Sequence, residues 1–237
     1  MISSLKSNTI LLAKRIWRKI RRMRAYILSM INPIDGVVAT AETVHGWITG
    51  TPAKELALAS FNLAGDPTIV EIGVFMGRST VLLASPRRLR GSGTVHSVDP
   101  FDCSGDSYSA PYYVNELKST GLSSLEIAFR ENISEMKLEQ WVQVHKGTSR
   151  EIASTWTLSI DLLLLDGDHS PKGAREAYDL WVPFLKKGGT IVLQNTADRI
   201  YGDEHNGNRR LAVEQVIAPY YSNIHLADYM TFAIKET

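Results

Sequence analysis

"IVEIGVFMGRSTVLLA", residues 69–84, begins as an apolar run, halts at Glu71, Gly73 and Gly77, and resumes with helical spacing. A buried strand that turns into a helix through glycines is the opening of an α/β unit. Glycine lets a ligand approach the backbone closely. The spacing here is GxxxG, with Phe75 where a dinucleotide fingerprint GxGxxG would need glycine. The phosphate-gripping GxxxxGK[ST] loop is missing as well, and Glu71 would repel a phosphate. The turn therefore suits an uncharged or cationic ligand. Ser79 follows at the helix start, either as a cap for exposed N–H groups or as a ligand contact.

Outward from this stretch, strand and helix patterns alternate. "TIVEIGV", "GTVHSVDPF", "WVQVHKG", "IDLLLLDGD" and "GGTIVLQNT" read as strands. Helical patterns surround them: about 52–64 before the first, then "RSTVLLASPRRL", most of 111–137, "SREIASTW", "GAREAYDLWVPFL" and "NRRLAVEQVIAPY". "SNIHLADY" and "TFAIKE" form a terminal hairpin. Near-continuous apolar strands imply a mostly parallel sheet covered on both faces. The expected fold is a Rossmann-like, doubly wound α/β architecture with a seven-stranded sheet and a C-terminal antiparallel hairpin. Ligands of such sheets bind beyond the carboxyl ends of the strands. Each strand ends in a polar or glycine cluster: Glu71/Gly73, Asp99, Gly147/Ser149, Asp166/Asp168/His169 and Gln194/Asn195. These clusters are expected along one edge.

Asp99 ends the second strand. A carboxylate there is placed to accept both hydroxyls of a ribose, and with Glu71 and the glycines upstream this reading is favoured over a helix cap or turn aspartate before Pro100. Asp168 is read as a turn residue before "SPKGA".

The chain has 237 residues, 44% of them hydrophobic and 22% charged, which fits an ordinary globular domain with an appendage. The formal net charge of +1 gives no reason to expect nucleic acid as a partner. Cys103 is the single cysteine, which excludes an internal disulfide and fits a reducing, cytoplasmic setting. Charge is unevenly spread. Residues 1–35 hold eight basic residues against Asp35, a local charge of +7, and the remainder carries −6. Between residues 10 and 31 apolar residues recur every three or four positions, as in a basic amphipathic helix. It is too charged to span a bilayer and lacks a signal-peptide pattern. Three readings are open: peripheral contact with the inner face of a membrane, docking on a second copy or partner, and packing on its own domain. Asn32-Pro33 ends the helix, so the chain divides into residues 1–35 and 36–237.

"VEIGVFMGRST", "VHSVDPFD", "HKGTSRE" and "DLLLLDGDHSPKGAREAYDLWVPFLKKGGTIVL" together resemble class I S-adenosylmethionine-dependent methyltransferases. The resemblance is nearest the macrocin-type sugar O-methyltransferase branch (methyltransferase family 24-like) and covers roughly residues 50–237. It implies S-adenosylmethionine as cofactor, with Gly73 and Gly77 by its methionine part, Glu71 anchoring that loop, Asp99 on the ribose, and Thr148 and Ser149 bordering the adenine. A sulfonium donor without phosphate agrees with the turn described above.

The resemblance also implies a reaction. An acceptor hydroxyl must be aligned with the methyl carbon and relieved of its proton. His169, three residues after Asp166, stands where the sugar O-methyltransferases carry their general base. Relatives also bind Mg²⁺ with the counterpart of Asp166 and an acidic or amide pair after the next strand, which points to Asp166 and Asn195 here. The implied acceptor is a small molecule or glycan, sugar-like for preference. The competing reading is a non-catalytic scaffold on the same fold, supported by neutral Gln194 and Asn195. Trp47, Tyr112 and Tyr113 fall in segments that either cover the site or join the core. Residues 202–210, "GDEHNGNRR", read as a solvated loop, and His205 receives no site role.

Overall fold

The structure is a computed structural model and describes residues 17, 19–21, 23–198 and 202–237. Seven strands form one sheet: β1 (Thr68–Ile72), β2 (Thr94–Asp99), β3 (Val142–Lys146), β4 (Ile160–Leu165), β5 (Leu185–Gln194), β6 (Tyr221–Ala227) and β7 (Met230–Lys235). Their spatial order is β3-β2-β1-β4-β5-β7-β6. The first five pair in parallel, and β7 runs antiparallel to both β5 and β6. The doubly wound sheet with its C-terminal hairpin is the architecture expected from the sequence.

Alternation along the strands explains the two covered faces. Ile69, Val95, Leu162, Leu164 and Val192 belong to one buried cluster, whereas Val70, Val98, Leu163, Leu165 and Leu193 belong to the other. Successive side chains point to opposite faces, so a strand buried on both must be apolar at every position. Helices α1 (Pro33–Ala41), α2 (Gly50–Asn62), α3 (Arg78–Arg90) and α5 (Leu125–Glu135) supply the first cluster. Helices α6 (Ser149–Ala153), α7 (Pro171–Trp181) and α8 (Gly207–Glu214) supply the second. The segment 111–137 resolves into α4 (Ala110–Thr120) and α5. Gly121 closes α4 at φ 74°, and the Ser124 hydroxyl caps α5 by accepting from Ile127 N–H.

Arg87 is fully buried in the last turn of α3 and donates to the carbonyls of Phe61 and Leu63 at the end of α2. Its guanidinium thus satisfies carbonyls that have no helical partner.

The break at Asn32-Pro33 is also the start of a further helix. Asn32 Oδ1 accepts from Ile34 N–H, and Pro33 occupies the first turn of α1. Ile34, Val37 and Ala41 enter the core, so a boundary at residue 35 would cut α1. Of the helix expected over 10–31, residues 10–16, 18 and 22 lie outside the described residues. The described ones from 17 to 31 are helical. No described helix is long and apolar enough to cross a membrane.

Candidate active site

The strand order changes direction between β1 and β4, where a doubly wound sheet opens a crevice beyond its carboxyl edge. A cavity of about 920 Å³ lies there, lined among others by Gly73, Ser79, Asp99, Thr148, Ser149, Asp166, His169 and Asn195. The clusters expected along one edge are thus brought together. Glu71 and Gly77 do not reach the wall, and act beneath it.

Gly73 adopts φ +84°, and a Cβ there would fall 2.5 Å from the Asp166 carbonyl oxygen. Glycine is required because the turn after β1 presses on the end of β4. Gly77, at φ +93°, caps α3 and packs against the Phe129 ring. Glu71 is fully buried, and its Oε2 accepts from the Thr80 hydroxyl at 2.6 Å. Burial pushes its carboxyl up to about 8, partly countered by hydrogen bonds from Ser79 and Thr80. Glu71 therefore anchors the start of α3 and holds the loop from below.

Asp99 holds the same loop from the side. Its Oδ2 accepts the N–H groups of Val74 and Phe75 at 2.8 and 3.2 Å, and its Oδ1 accepts that of Phe101 at 2.6 Å. Burial raises its carboxyl, while these three backbone donors act in the opposite sense. Each carboxylate oxygen has two acceptor sites, so Asp99 serves the loop without exhausting its capacity.

Thr148 caps α6 through a reciprocal capping box with Glu151, and Ser149 Oγ accepts from Trp181 Nε1 at 2.8 Å. Asp168 is an exposed turn residue whose Oδ1 accepts from Ser170 N–H, as read from the sequence.

Asp166 and His169 meet on the wall. His169 Nε2 lies 3.5 Å from Asp166 Oδ1, and His169 is buried. Its Nδ1 faces the Asn208 amide at 3.2 Å. Burial raises the Asp166 carboxyl, and His169 works against that rise. The cavity also has an aromatic lining. Trp47 and Phe75 pack with ring centroids 4.8 Å apart, and Tyr113 packs on Phe75 at 5.3 Å. Trp47, Tyr112 and Tyr113 all line the cavity.

The profile described as a methyltransferase domain matches residues 70–196, more than half of the chain. The chain belongs to this methyltransferase family. Among solved structures, the O-methyltransferase NovP is similar at 16% identity and TM-score 0.61, over 81% of this chain and 83% of that one. The S-adenosylhomocysteine-bound Podospora anserina methyltransferase PaMTH1 is similar at 11% identity and TM-score 0.58, over 92% and 88%. Cofactor-bound Rv0187 from MTB is similar at 16% identity and TM-score 0.58, over 91% and 97%. At such identities the likeness is one of fold.

The protein is an S-adenosylmethionine-dependent methyltransferase, and its crevice fits that cofactor. A glycine turn with no lysine faces the cavity, and Asp99 and Asp166 bring anionic groups toward a cationic donor. Magnesium fits poorly. Asp166 is the one carboxylate of the expected set on the wall beside Gln194 and Asn195. The Asn195 amide is turned to His205, with Nδ2 and Nε2 2.9 Å apart. Asp198 is almost fully exposed and pairs with Arg209 at 2.6 Å. Among the described residues no group of three His, Cys, Asp or Glu is placed to hold a metal ion. Two neutral amides are weak ligands for a hard dication.

The sequence reading missed the segment 202–210. The methyltransferase buries His205 in the cavity wall, where Asp106 meets it from 99 residues away. No local spacing announces that contact.

Proposed function

We propose that this methyltransferase moves the methyl group of S-adenosylmethionine to a hydroxyl of a small molecule or glycan, with sugar-like acceptors preferred. The observation that carries the reading is the Asp166–His169 pair on the wall of a cavity shared with the Gly73 loop and the Trp47–Phe75–Tyr113 wall. The bound cofactor supplies an electrophilic methyl carbon on a sulfonium. The acceptor oxygen forms a bond to that carbon as the carbon–sulfur bond breaks, and a neutral thioether departs. The hydroxyl proton passes to the Asp166–His169 pair. The tilted rings of Trp47, Phe75 and Tyr113 give an apolar surface against which a sugar or phenol ring packs. Thr148 and Ser149 border the adenine, and Asp99 accepts from the ribose hydroxyls.

The test supplies methyl-labelled S-adenosylmethionine and a panel of neutral sugars, glycosides and phenols, and follows label transfer by mass spectrometry. Labelled ether products are expected. Cofactor binding with no consumption across the panel would replace this reading with the scaffold one.

We also infer peripheral membrane contact through the N-terminal helix. Ile20, Met23, Ile27 and Met30 are each more than half exposed, beside Lys19, Arg21 and Arg24. An apolar stripe flanked by cations suits an anionic surface. Co-sedimentation with phosphatidylserine vesicles is expected to exceed that with phosphatidylcholine vesicles, and equal pelleting would reject the contact.

A further inference from the structure

One side chain on the cavity wall has polar atoms that the protein leaves unused. Gln194 ends β5, is 5% exposed and lines the cavity. Its Oε1 is buried and accepts no hydrogen bond, and its Nε2 donates to none of the described residues. Buried amides are nearly always paired, because an unmet donor or acceptor loses its water without replacement. An unpaired one on a cavity wall therefore points to a ligand. The planar amide turns about its terminal bond, so either end can be brought to that ligand.

The backbone at Gln194 is firmly held. Leu165 and Leu193 pair across β4 and β5, and both side chains join the second core cluster. The next residues, Asp166 and Gln194, therefore point to the other face from neighbouring strands, whose spacing is about 4.8 Å. Asn208 fixes this arrangement. Its Nδ2 donates to the carbonyls of Leu165 at 3.1 Å and Gln194 at 3.0 Å, and lies 3.2 Å from His169 Nδ1. One side chain thus keeps the end of β4, the end of β5 and the His169 ring in a set relation. The unused amide is a fixed neighbour of the Asp166–His169 pair.

The chemistry of the amide narrows what it binds. It offers two donors and an acceptor without net charge. An anionic group beside it would lie against the Asp166 carboxyl, and a cation would be drawn to that carboxyl rather than to the amide. A hydroxyl, which donates and accepts at once, suits it. With one acceptor hydroxyl at Asp166–His169, a second on the neighbouring carbon reaches toward the adjacent strand.

We propose that Gln194 is an acceptor-binding residue that reads a second hydroxyl, next to the one methylated, so that the enzyme prefers vicinal diols to single alcohols. The inference rests on the hydroxyl-methylation reading and names the feature of the acceptor that the site recognises.

The experiment uses the full chain in EDTA with labelled S-adenosylmethionine and two probe pairs: catechol against phenol, and 1,2-cyclohexanediol against cyclohexanol. In each pair the diol is expected to have the higher kcat/KM, by about tenfold. Gln194→Met keeps nearly the same shape and cannot hydrogen-bond through an amide. It is expected to lower kcat/KM for the diols about tenfold and leave phenol and cyclohexanol within about twofold, so that the preference disappears. Calorimetric S-adenosylhomocysteine affinity should not change. The Tm of the ligand-free variant should equal or exceed that of the wild type, because the amide removed had no partner in the fold. Equal losses on both members of a pair, or an undiminished preference, would overturn the inference. So would a fall in S-adenosylhomocysteine affinity, which would place Gln194 on the cofactor, or a Tm several degrees lower, which would make the amide structural. Turnover that appears only when MgCl₂ replaces EDTA would overturn it as well, by making position 194 part of a metal site. In each of these cases methylation of a probe leaves the hydroxyl reading standing. Should no probe be methylated with or without metal, that reading and this inference fall together.

Discussion

Gly73 and Asp166 touch through their backbones: a Cβ on the glycine would lie 2.5 Å from the Asp166 carbonyl oxygen. The contact joins the glycine loop after β1 to the Asp166 end of β4. It also makes position 73 intolerant. An alanine there meets both a left-handed φ of +84° and a backbone clash that no rotamer relieves. Gly73→Ala is expected to lower Tm by roughly 2–12 °C, from about 1–3 kcal/mol of strain in a domain of this size. It should also weaken S-adenosylhomocysteine binding. Scanning calorimetry and titration calorimetry check the two effects, and an unchanged Tm would mean that the turn relaxes freely.

Asp99 ties three backbone N–H groups, and its removal strands all of them. Hydrogen bonds to a charged group contribute about 1.5–3 kcal/mol each. Asp99→Ala is therefore expected to weaken cofactor affinity at least about tenfold, with some loss of stability. Wild-type affinity in titration calorimetry would remove Asp99 from both the loop and the ribose.

The carboxyl of Glu71 gives a pH signature. Its folded value is pushed up to about 8 from 4.5 by burial, so the folded chain holds this proton more tightly than the unfolded chain. The stabilising contribution is complete below 4.5, declines as pH rises toward 8, and is gone above it. Glu71→Gln has no proton to lose. The Tm of the variant minus that of the wild type should grow steadily from pH 5 to pH 8. A difference independent of pH would show that Glu71 is ionised when folded.

Asp166 and His169 carry the proposed proton transfer. His169→Ala and Asp166→Asn are each expected to reduce turnover about 10²–10⁴-fold. Because they act as a pair, the double variant should be little worse than either single one. Cofactor affinity should persist in His169→Ala. Multiplicative losses in steady-state rates would show two independent roles.

The sheet was legible because its central strands, such as β4 (IDLLLL), are apolar at nearly every position, a pattern that burial on both faces demands. The carboxyl-edge residues followed from topology once the strands were placed. What stayed hidden depended on contacts between distant segments. Phe75 looked like a failed fingerprint glycine, yet its ring packs against Trp47 and Tyr113 and its N–H donates to Asp99. His205 sat in a polar, glycine-containing stretch typical of solvent. Its burial comes from Asp106, and pairing across 99 residues leaves no periodicity to read. The start of α1 at Pro33 was ambiguous for a different reason. Proline ends one helix and begins another with the same fixed φ.

Phe75 belongs to two structures at once. Its backbone is held by Asp99 within the glycine loop, and its ring packs with Trp47 and Tyr113 in the cavity lining. Whatever settles that loop also completes the platform for the second reactant. The expected kinetic consequence is order of addition, with the methyl donor entering first and its thioether product leaving last. S-adenosylhomocysteine should then inhibit competitively against the donor and noncompetitively against the acceptor.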